Sequence, residues 1–462
     1  MSLIDPSDPR PVHFVGIAGA GMSGLAELLV RRGASVTGCD NSLAGAADLK
    51  RHGVALQQGH DPLHVENARA VVVTSAVPKD HPELERARAL GIPVIRRAEA
   101  LGEAVAGTTL VAVAGTHGKT TTTVLTTEAL RAAGLDATGV AGGRVGSWGG
   151  NLSQGGEDVF VVEADEYDRS FLALSPTIAV VTNIEADHLD IYKDLDEIRA
   201  TFAKFVRGAR QIVLCADDEG ANTLTVPLGA EIFRYGIESK DARVRATVLQ
   251  LAPDESHYIV EFDGEPLGKV CLPVPGRHNV LNSLAAIATG LALGVTVKGL
   301  AAGLAAFAGV ERRFQRLGET RGVAIVDDYA HNPTKVRAAL ETARVAFPGR
   351  RLIAAFQPHL FTRTRDFARE FGASLAVADV VLLTEIYPAR EKPIDGVTSG
   401  LVADGVRAAG KSVAWRGERS ALADELARIV KPGDVVVTIG AGDITRTGPE
   451  LIALLGGAPV AG

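Results

Sequence analysis

Residues 112–123, Ala-Val-Ala-Gly-Thr-His-Gly-Lys-Thr-Thr-Thr-Thr, combine the residue types that hold phosphate. Gly115 and Gly118 let backbone N–H groups converge on anionic oxygens, and a helix opening at Lys119 adds partial positive charge. Lys119 can reach the terminal phosphates, and the Thr120 hydroxyl can bind Mg²⁺. Gly115, Thr116, His117, Gly118, Lys119, Thr120 and Thr121 therefore form the expected phosphate cradle. The general G-x-x-x-x-G-K-[ST] pattern fits imperfectly, because its first glycine falls on Val113. A plain strand-to-helix turn is the alternative.

Acids and a histidine follow in order. Val162-Glu163-Ala-Asp165-Glu166 closes one apolar run, and Asn183-Ile-Glu185-Ala-Asp187-His188 follows the next. P-loop proteins keep a metal-binding acid at such a strand end, which makes Glu163 a candidate ligand beside Thr120. Mg²⁺ prefers oxygen, so His188 suggests a second metal shared with a substrate. Solvated loop charge is the alternative for both. Asp327-Asp328-Tyr329-Ala-His331-Asn332-Pro333 and Phe356-Gln-Pro-His359-Leu-Phe-Thr-Arg363-Thr-Arg365 also follow apolar runs. Two arginines at this spacing suit a carboxylate or phosphate; a solvated basic patch is the alternative for Arg365.

The elements that must position these groups can be read from the pattern. His13-Phe-Val-Gly-Ile-Ala-Gly19-Ala-Gly21-Met-Ser-Gly24 is a short strand running into a glycine loop and a helix. Asp40 ends a second strand about 16 residues after Gly24. This resembles a βαβ unit that binds a nucleotide diphosphate, with glycines serving helix–strand packing as the alternative. Thr109–Ala114, Val159–Glu163, Ile178–Asn183 and Gln211–Cys215 read as strands of a parallel sheet. Residues 243–275 alternate and read as an antiparallel flap. Strands at 322–327, 352–356, 380–383 and 434–438 are separated by helical stretches. The expected fold class is α/β with three successive units. They are a Rossmann-like domain over 1–106, a central P-loop domain over 107–317 and a second Rossmann-like domain over 318–462.

Composition agrees with a globular protein of about three domains. The chain has 462 residues, 46% hydrophobic and 22% charged, with net charge −7. No basic surface suggests nucleic acid. The three cysteines, Cys39, Cys215 and Cys271, are scattered and fit a reducing, cytoplasmic setting. No apolar run is long enough to span a membrane, and the N-terminal segment has no targeting core.

The motifs together resemble the Mur ligase family, which forms amide bonds with ATP in cell-wall precursor synthesis. The resemblance rests on Gly16–Gly24, Ala114–Thr121, Glu163–Glu166, Asn183–His188, Gly276-Arg-His-Asn279, Asp327–Tyr329 and Phe356–His359, in the family's order along the whole chain. The shortened P-loop is itself family-like. Within the family the pattern is most similar to the member that adds L-alanine to UDP-N-acetylmuramate. The resemblance implies ATP and Mg²⁺, an acyl phosphate intermediate, and a monomer or weak homodimer. It assigns Lys119 and Thr120 to phosphates and Mg²⁺, and Glu163 and His188 to metal. Asn279 and Asn282 lie where the family contacts adenine, Asp328 where it holds ribose, and Arg313 near the γ-phosphate. Tyr329, His331 and Arg363 fall in the amino-acid site, and Gly19, Gly21, Asp40 and Ser75 in the UDP site.

Four departures stand out. Ala18 replaces a common glycine, Asn332 replaces a histidine found in many relatives, and Leu360 occupies an often basic position. The lysine that other Mur ligases carbamylate would fall on Ala203, beside Lys204, so no such modification is assigned. The nearest rival within the family is the recycling ligase that attaches a ready-made peptide. An NAD-dependent oxidoreductase and a nucleotide switch are rivals from other classes.

Overall fold

The apolar run predicted to precede the phosphate turn is a strand paired with a neighbour on each side, and the fold is arranged around it. The computed structural model describes residues 3–5, 7–189, 191–389 and 391–457. Three sheets follow one another along the chain.

The first sheet contains β1 (Val12–Val15), β2 (Val36–Asp40), β3 (Ala55–Gln58), β4 (Ala70–Val73) and β5 (Val94–Arg96), all parallel, in the order β3-β2-β1-β4-β5. Strand order reverses between β1 and β4. That reversal opens a crevice at their C-terminal ends, the usual ligand side of such sheets. The Ala20–Arg31 helix leaves β1 through Gly19, whose side lacks any capping group, so its first N–H groups remain available to an anion.

The second sheet has ten strands: β6 (Thr109–Ala114), β7 (Thr138–Val145), β8 (Gly150–Ser153), β9 (Val159–Glu163), β10 (Ile178–Val181), β11 (Gln211–Cys215), β12 (Glu231–Gly236), β13 (Val244–Leu251), β14 (Ser256–Phe262) and β15 (Glu265–Leu272). β6 lies between β9 and β10, parallel to both, and β6 is buried from Leu110 to Ala114. Their C-terminal ends therefore deliver the phosphate turn, Glu163 and the segment holding His188 to one edge. The expected antiparallel flap exists as β13–β15, but it is not separate. Tyr235 of β12 pairs with Val244 of β13 in parallel, so the three strands extend the central sheet.

The third sheet contains β16 (Gln315–Thr320), β17 (Val323–Asp328), β18 (Arg351–Phe356), β19 (Val380–Thr384), β20 (Val413–Gly417) and β21 (Asp434–Ile439) in the order β16-β17-β21-β18-β19-β20. Only β16 is antiparallel. The boundary expected at 317 falls inside β16, which pairs with β17 from Gln315 onward. The boundary expected at 106 falls in the turn between the Arg97–Ala104 helix and β6. The first two units share one continuous apolar core in which the Ala20–Arg31 helix packs on β7 and β8. The third has its own two clusters, one on each face of its sheet. No helix among the described residues is long and apolar enough to cross a membrane.

Candidate active site

The turn after β6 is built around two glycines in the left-handed half of backbone space, Gly115 at φ +137° and Gly118 at φ +77°. A Cβ at Gly115 would strike Thr182 Oγ1, and one at Gly118 would strike Asn282 Oδ1. Neither position tolerates a side chain, so the close approach matters as much as the dihedral. Asn183 braces the turn from β10: its Oδ1 accepts from His117 N at 2.7 Å, and its Nδ2 donates to His117 O at 3.2 Å. The Lys119–Ala132 helix then follows Gly118, which precedes its first turn without a side-chain cap.

Lys119 Nζ donates to Gly115 O at 2.7 Å and to Glu166 Oε2 at 2.6 Å. Burial works against the ammonium charge, but Glu166 and Asp165 hold its pKa above the usual value. Burial also opposes the Glu166 charge, yet Lys119 brings that carboxyl down to about 2. Thr120 Oγ1 donates to Glu163 Oε1 at 3.1 Å, and Glu163 Oε2 accepts from Gly142 N at 2.6 Å. Arg313 Nη2 reaches Thr120 Oγ1 at 3.3 Å from the segment that leads into β16. His188 has a left-handed backbone at φ +54°, unusual for a residue with a Cβ. Its Nε2 stands 3.6 Å from Glu166 Oε1, an oxygen that has no hydrogen-bond partner.

A cavity of about 300 Å³ opens over this constellation, with Asn279, Asn282, Arg313 and Asp328 in its wall. Asn279 Nδ2 donates to Pro275 O, and Asn282 Oδ1 accepts from Thr122 Oγ1 at 3.3 Å. Asp328 accepts from Phe314 N and Ala330 N, each at 2.8 Å, and burial pushes its pKa up to about 6. The structure thus gathers the expected phosphate and nucleotide residues at one cleft with Thr120 and Glu163, whereas His188 is not in its wall. Tyr329 lies beneath two guanidiniums, Arg312 at 4.7 Å and Arg313 at 5.2 Å from its ring centre.

The expected sugar-nucleotide residues lie elsewhere. Ser75 lines a second cavity of about 490 Å³ between the first and central units, together with Arg96, Arg97 and Asp168. Gly21 faces Arg97, whose Nη1 would lie 2.9 Å from a Cβ there. Gly19 begins the helix at the same crevice. Asp40 ties the loop of the same unit together, accepting from Ala18 N and Ser42 N at 3.1 Å each.

Arg363 differs most from expectation. Its guanidinium does not stand open to a ligand: Nη2 donates to Asp187 Oδ1 at 2.9 Å, with both side chains buried, and Nη1 lies 3.4 Å from His359 Nδ1. Burial opposes the Asp187 charge, but Arg363 drives its pKa well below the usual range. Asn332 Nδ2 donates to Asp187 Oδ2 at 3.1 Å, while Asn332 Oδ1 caps the Pro333–Ala346 helix through Lys335 N. Asp187 belongs to the central unit, and Arg363 and Asn332 to the last. The three therefore latch one unit to the other. Arg365 points outward onto Asp366 and is half exposed. Lys204 is exposed on the Leu195–Val206 helix.

Replacing Arg363 with Ala is accordingly expected to raise KM for both substrates that the resemblance implies here, L-alanine and ATP. Losing one partner of a buried ion pair costs about 2–5 kcal/mol, here in the contact between the two units, and this sets the upper limit on the loss of either substrate's affinity. Arg365→Ala should leave both unchanged. Steady-state saturation curves for each substrate decide the matter; a rise confined to L-alanine would show that Arg363 acts on that substrate alone.

Lys335 was missed in the sequence. It lines the cleft, 3.4 Å from His331 Nε2, and burial lowers its pKa to about 8. The signal was present: a lysine in the first turn of a helix opposes the helix dipole, an arrangement that makes sense beside an anion. His331 Nδ1 is held at 2.9 Å from Tyr329 O, and burial keeps the imidazole neutral far below its usual pKa. ATP affinity is expected to fall as pH rises through about 8, where Lys335 loses its proton, and Lys335→Met should remove that step. Calorimetric titration of ATP between pH 7 and 10 on both proteins checks this. An identical step in the variant would assign the titration to another group.

Three family models cover the chain in order. They are "Mur ligase family, catalytic domain" over residues 11–109, "Mur ligase middle domain" over 113–290 and "Mur ligase, glutamate ligase domain" over 312–442. A relative from Rubrobacter xylanophilus, UDP-N-acetylmuramate–L-alanine ligase, is 46% identical over 96% of this chain and 100% of its own length. The crystal structure of UDP-N-acetylmuramate-alanine ligase MurC from Thermotoga maritima has a TM-score of 0.81 at 29% identity, over 96% of this chain and 98% of that one. A murein peptide ligase from Psychrobacter arcticus has a TM-score of 0.72 at 26% identity, over 98% and 100%. With all three of its models matched in sequence order, the chain belongs to the Mur ligase family.

Proposed function

We propose that this protein joins L-alanine to the lactyl carboxylate of UDP-N-acetylmuramate, converting ATP to ADP and phosphate, in peptidoglycan precursor synthesis. It would act in the cytoplasm as a monomer or weak homodimer. The observation that carries the reading is the convergence of Lys119, Arg313 and Lys335 on one cleft beside the Thr120–Glu163 pair. Three cations at one place suit a reaction in which two anions must meet. Full-length similarity to alanine ligases, and the higher TM-score to one than to the murein peptide ligase, favour L-alanine over a ready-made peptide.

A carboxylate is a poor electrophile. One of its oxygens attacks the γ-phosphorus, the β–γ bridge bond breaks, and ADP leaves with an acyl phosphate formed. The amine then attacks the acyl carbon, the C–O bond breaks, and phosphate departs. Lys119 and Arg313 offset the charge gathered at the phosphoryl group. The neutral His331 imidazole, with Nε2 3.4 Å from Lys335 Nζ, helps to position that ammonium in the cleft, and the proton that the amine gives up leaves with phosphate or to solvent. Gly19, Gly21, Ser75 and Arg97 are assigned to the sugar nucleotide, and Asn279, Asn282 and Asp328 to the adenosine.

Thr120 and Glu163 present adjacent oxygens and fit Mg²⁺. The unpartnered Glu166 Oε1 beside His188 Nε2 fits a second cation. Such ions, when bound, neutralise phosphate charge.

Labelling the lactyl carboxylate with ¹⁸O tests the chemistry. One labelled oxygen per turnover should appear in the released phosphate. Unlabelled phosphate would rule out the acyl phosphate route.

A further inference from the structure

The first unit contains a cluster of donor groups that the reaction does not use. Four of the eleven histidines, His13, His60, His64 and His81, gather there with Cys39 and Glu83. They come from separate segments: β1, β2, the loop after β3, the short turn Pro62–Val65 and the start of the Pro82–Ala89 helix. Val12 and Phe14 of β1 pack toward the Ala20–Arg31 helix, so His13 and Val15 face the opposite side of the sheet. The cluster lies on that opposite side.

Glu83 sits at its centre with its side chain fully buried. Its oxygens lie 2.8 Å from His64 Nδ1, 3.2 Å from Cys39 Sγ and 3.3 Å from His60 Nδ1, and one accepts from Asp61 N at 3.1 Å. His13 is also fully buried. Its Nδ1 is engaged by Thr37 Oγ1 at 2.9 Å, and its Nε2 has no hydrogen-bond partner. One ring nitrogen fixed by a hydroxyl, with the other left open, is how proteins prepare an imidazole to bind metal. His13, Cys39, His64 and Glu83 each offer a donor atom within 4.8 Å of all the others.

We propose that His13, Cys39, His64 and Glu83 form a four-ligand site for a borderline divalent transition metal ion, Zn²⁺ foremost. Two imidazoles, a thiolate and a carboxylate are donors that Zn²⁺ takes in four-coordinate sites. Thiolate and carboxylate together cancel the charge of the ion. Binding replaces the Cys39 S–H bond with an S–metal bond and releases that proton to solvent. Thr37 on His13 and the Asp61 N–H on Glu83 supply outer contacts that orient the ligands. All four positions are filled by protein, so the site is structural. It cross-links the first two strands to the turn and helix that follow them. Imidazole and thiol select against Mg²⁺, which separates this site from the phosphate cleft.

The test uses the full chain, stripped with a chelator and titrated with Co²⁺ and then Zn²⁺. One equivalent of Co²⁺ should produce a thiolate-to-metal charge-transfer band, and Zn²⁺ should displace it. Cys39→Ser should abolish the band, while Cys215→Ser and Cys271→Ser keep it. His64→Asn retains the thiol and lies in a surface turn. It should weaken binding by more than the roughly 10–100-fold that loss of an outer contact costs. Absence of the band in the parent protein, its survival in Cys39→Ser, or unchanged affinity in His64→Asn would each overturn the proposal. Loss of the band in Cys271→Ser instead would overturn it too, by placing the ion on the Glu255–His257–Cys271 group.

Discussion

Lys119→Ala is expected to lower ligation by about 10²–10³-fold, the usual result of removing a charge contact made in the transition state. UDP-sugar affinity should stay near its normal value, because the second cavity lies between the first and central units and does not include Lys119. The structure adds a complication. Lys119 is the partner of Glu166, which is 3% exposed. Removing the ammonium leaves a buried carboxylate unpaired, a loss that typically costs about 3–5 kcal/mol. Lys119→Ala should therefore also unfold at lower denaturant. Adding Glu166→Gln should restore much of that stability without restoring activity. Denaturant unfolding alongside single-turnover phosphate transfer separates the two effects. Recovery of activity in the double variant would show that Lys119 acts only through the fold.

The second large effect is expected at His188. His188→Ala should slow the phosphoryl transfer step by about 10²-fold, the lower range for an electrostatic contact, and leave ATP binding nearly unchanged. Its imidazole points to Glu166, one step beyond the Thr120–Glu163 pair, so it stands further from the nucleotide cavity than they do. The side chain is held there by a strained backbone at φ +54°, with its own N–H bonded to Asp187 Oδ1 at 2.8 Å. A conformation of this kind persists when the surroundings over-determine it. Comparing ATP affinity with the single-turnover rate gives the outcome. A large loss of affinity with an unchanged rate would move His188 into nucleotide binding.

The phosphate turn, Glu163 and the β10 segment were legible in sequence because strand, glycine turn and helix follow a local order. The open sheet topology then fixes which ends meet. β3 was not legible, since Ala55–Gln58 is short and half exposed, with no apolar alternation. The pairing of β12 with β13 was not legible either, because a two-residue parallel register leaves no local trace. Arg363 shows the limit most clearly. Its spacing from Arg365 suggested a ligand clamp, whereas its partner Asp187 lies 176 residues away in another unit. No local pattern reports such a contact. Lys335 was readable in principle, from a cation placed against a helix dipole, but only if the Asn332 cap was recognised first. The metal-type cluster of the first unit has no sequence spacing at all, because its ligands come from four segments.

The central claim is tested most directly by phosphate release from Mg-ATP with UDP-N-acetylmuramate and one amine acceptor at a time. The acceptors are L-alanine, glycine, L-serine and L-alanyl-γ-D-glutamyl-diaminopimelate. Release should require all three substrates and be fastest with L-alanine, with the peptide inert. Turnover with the peptide and none with L-alanine would contradict the account.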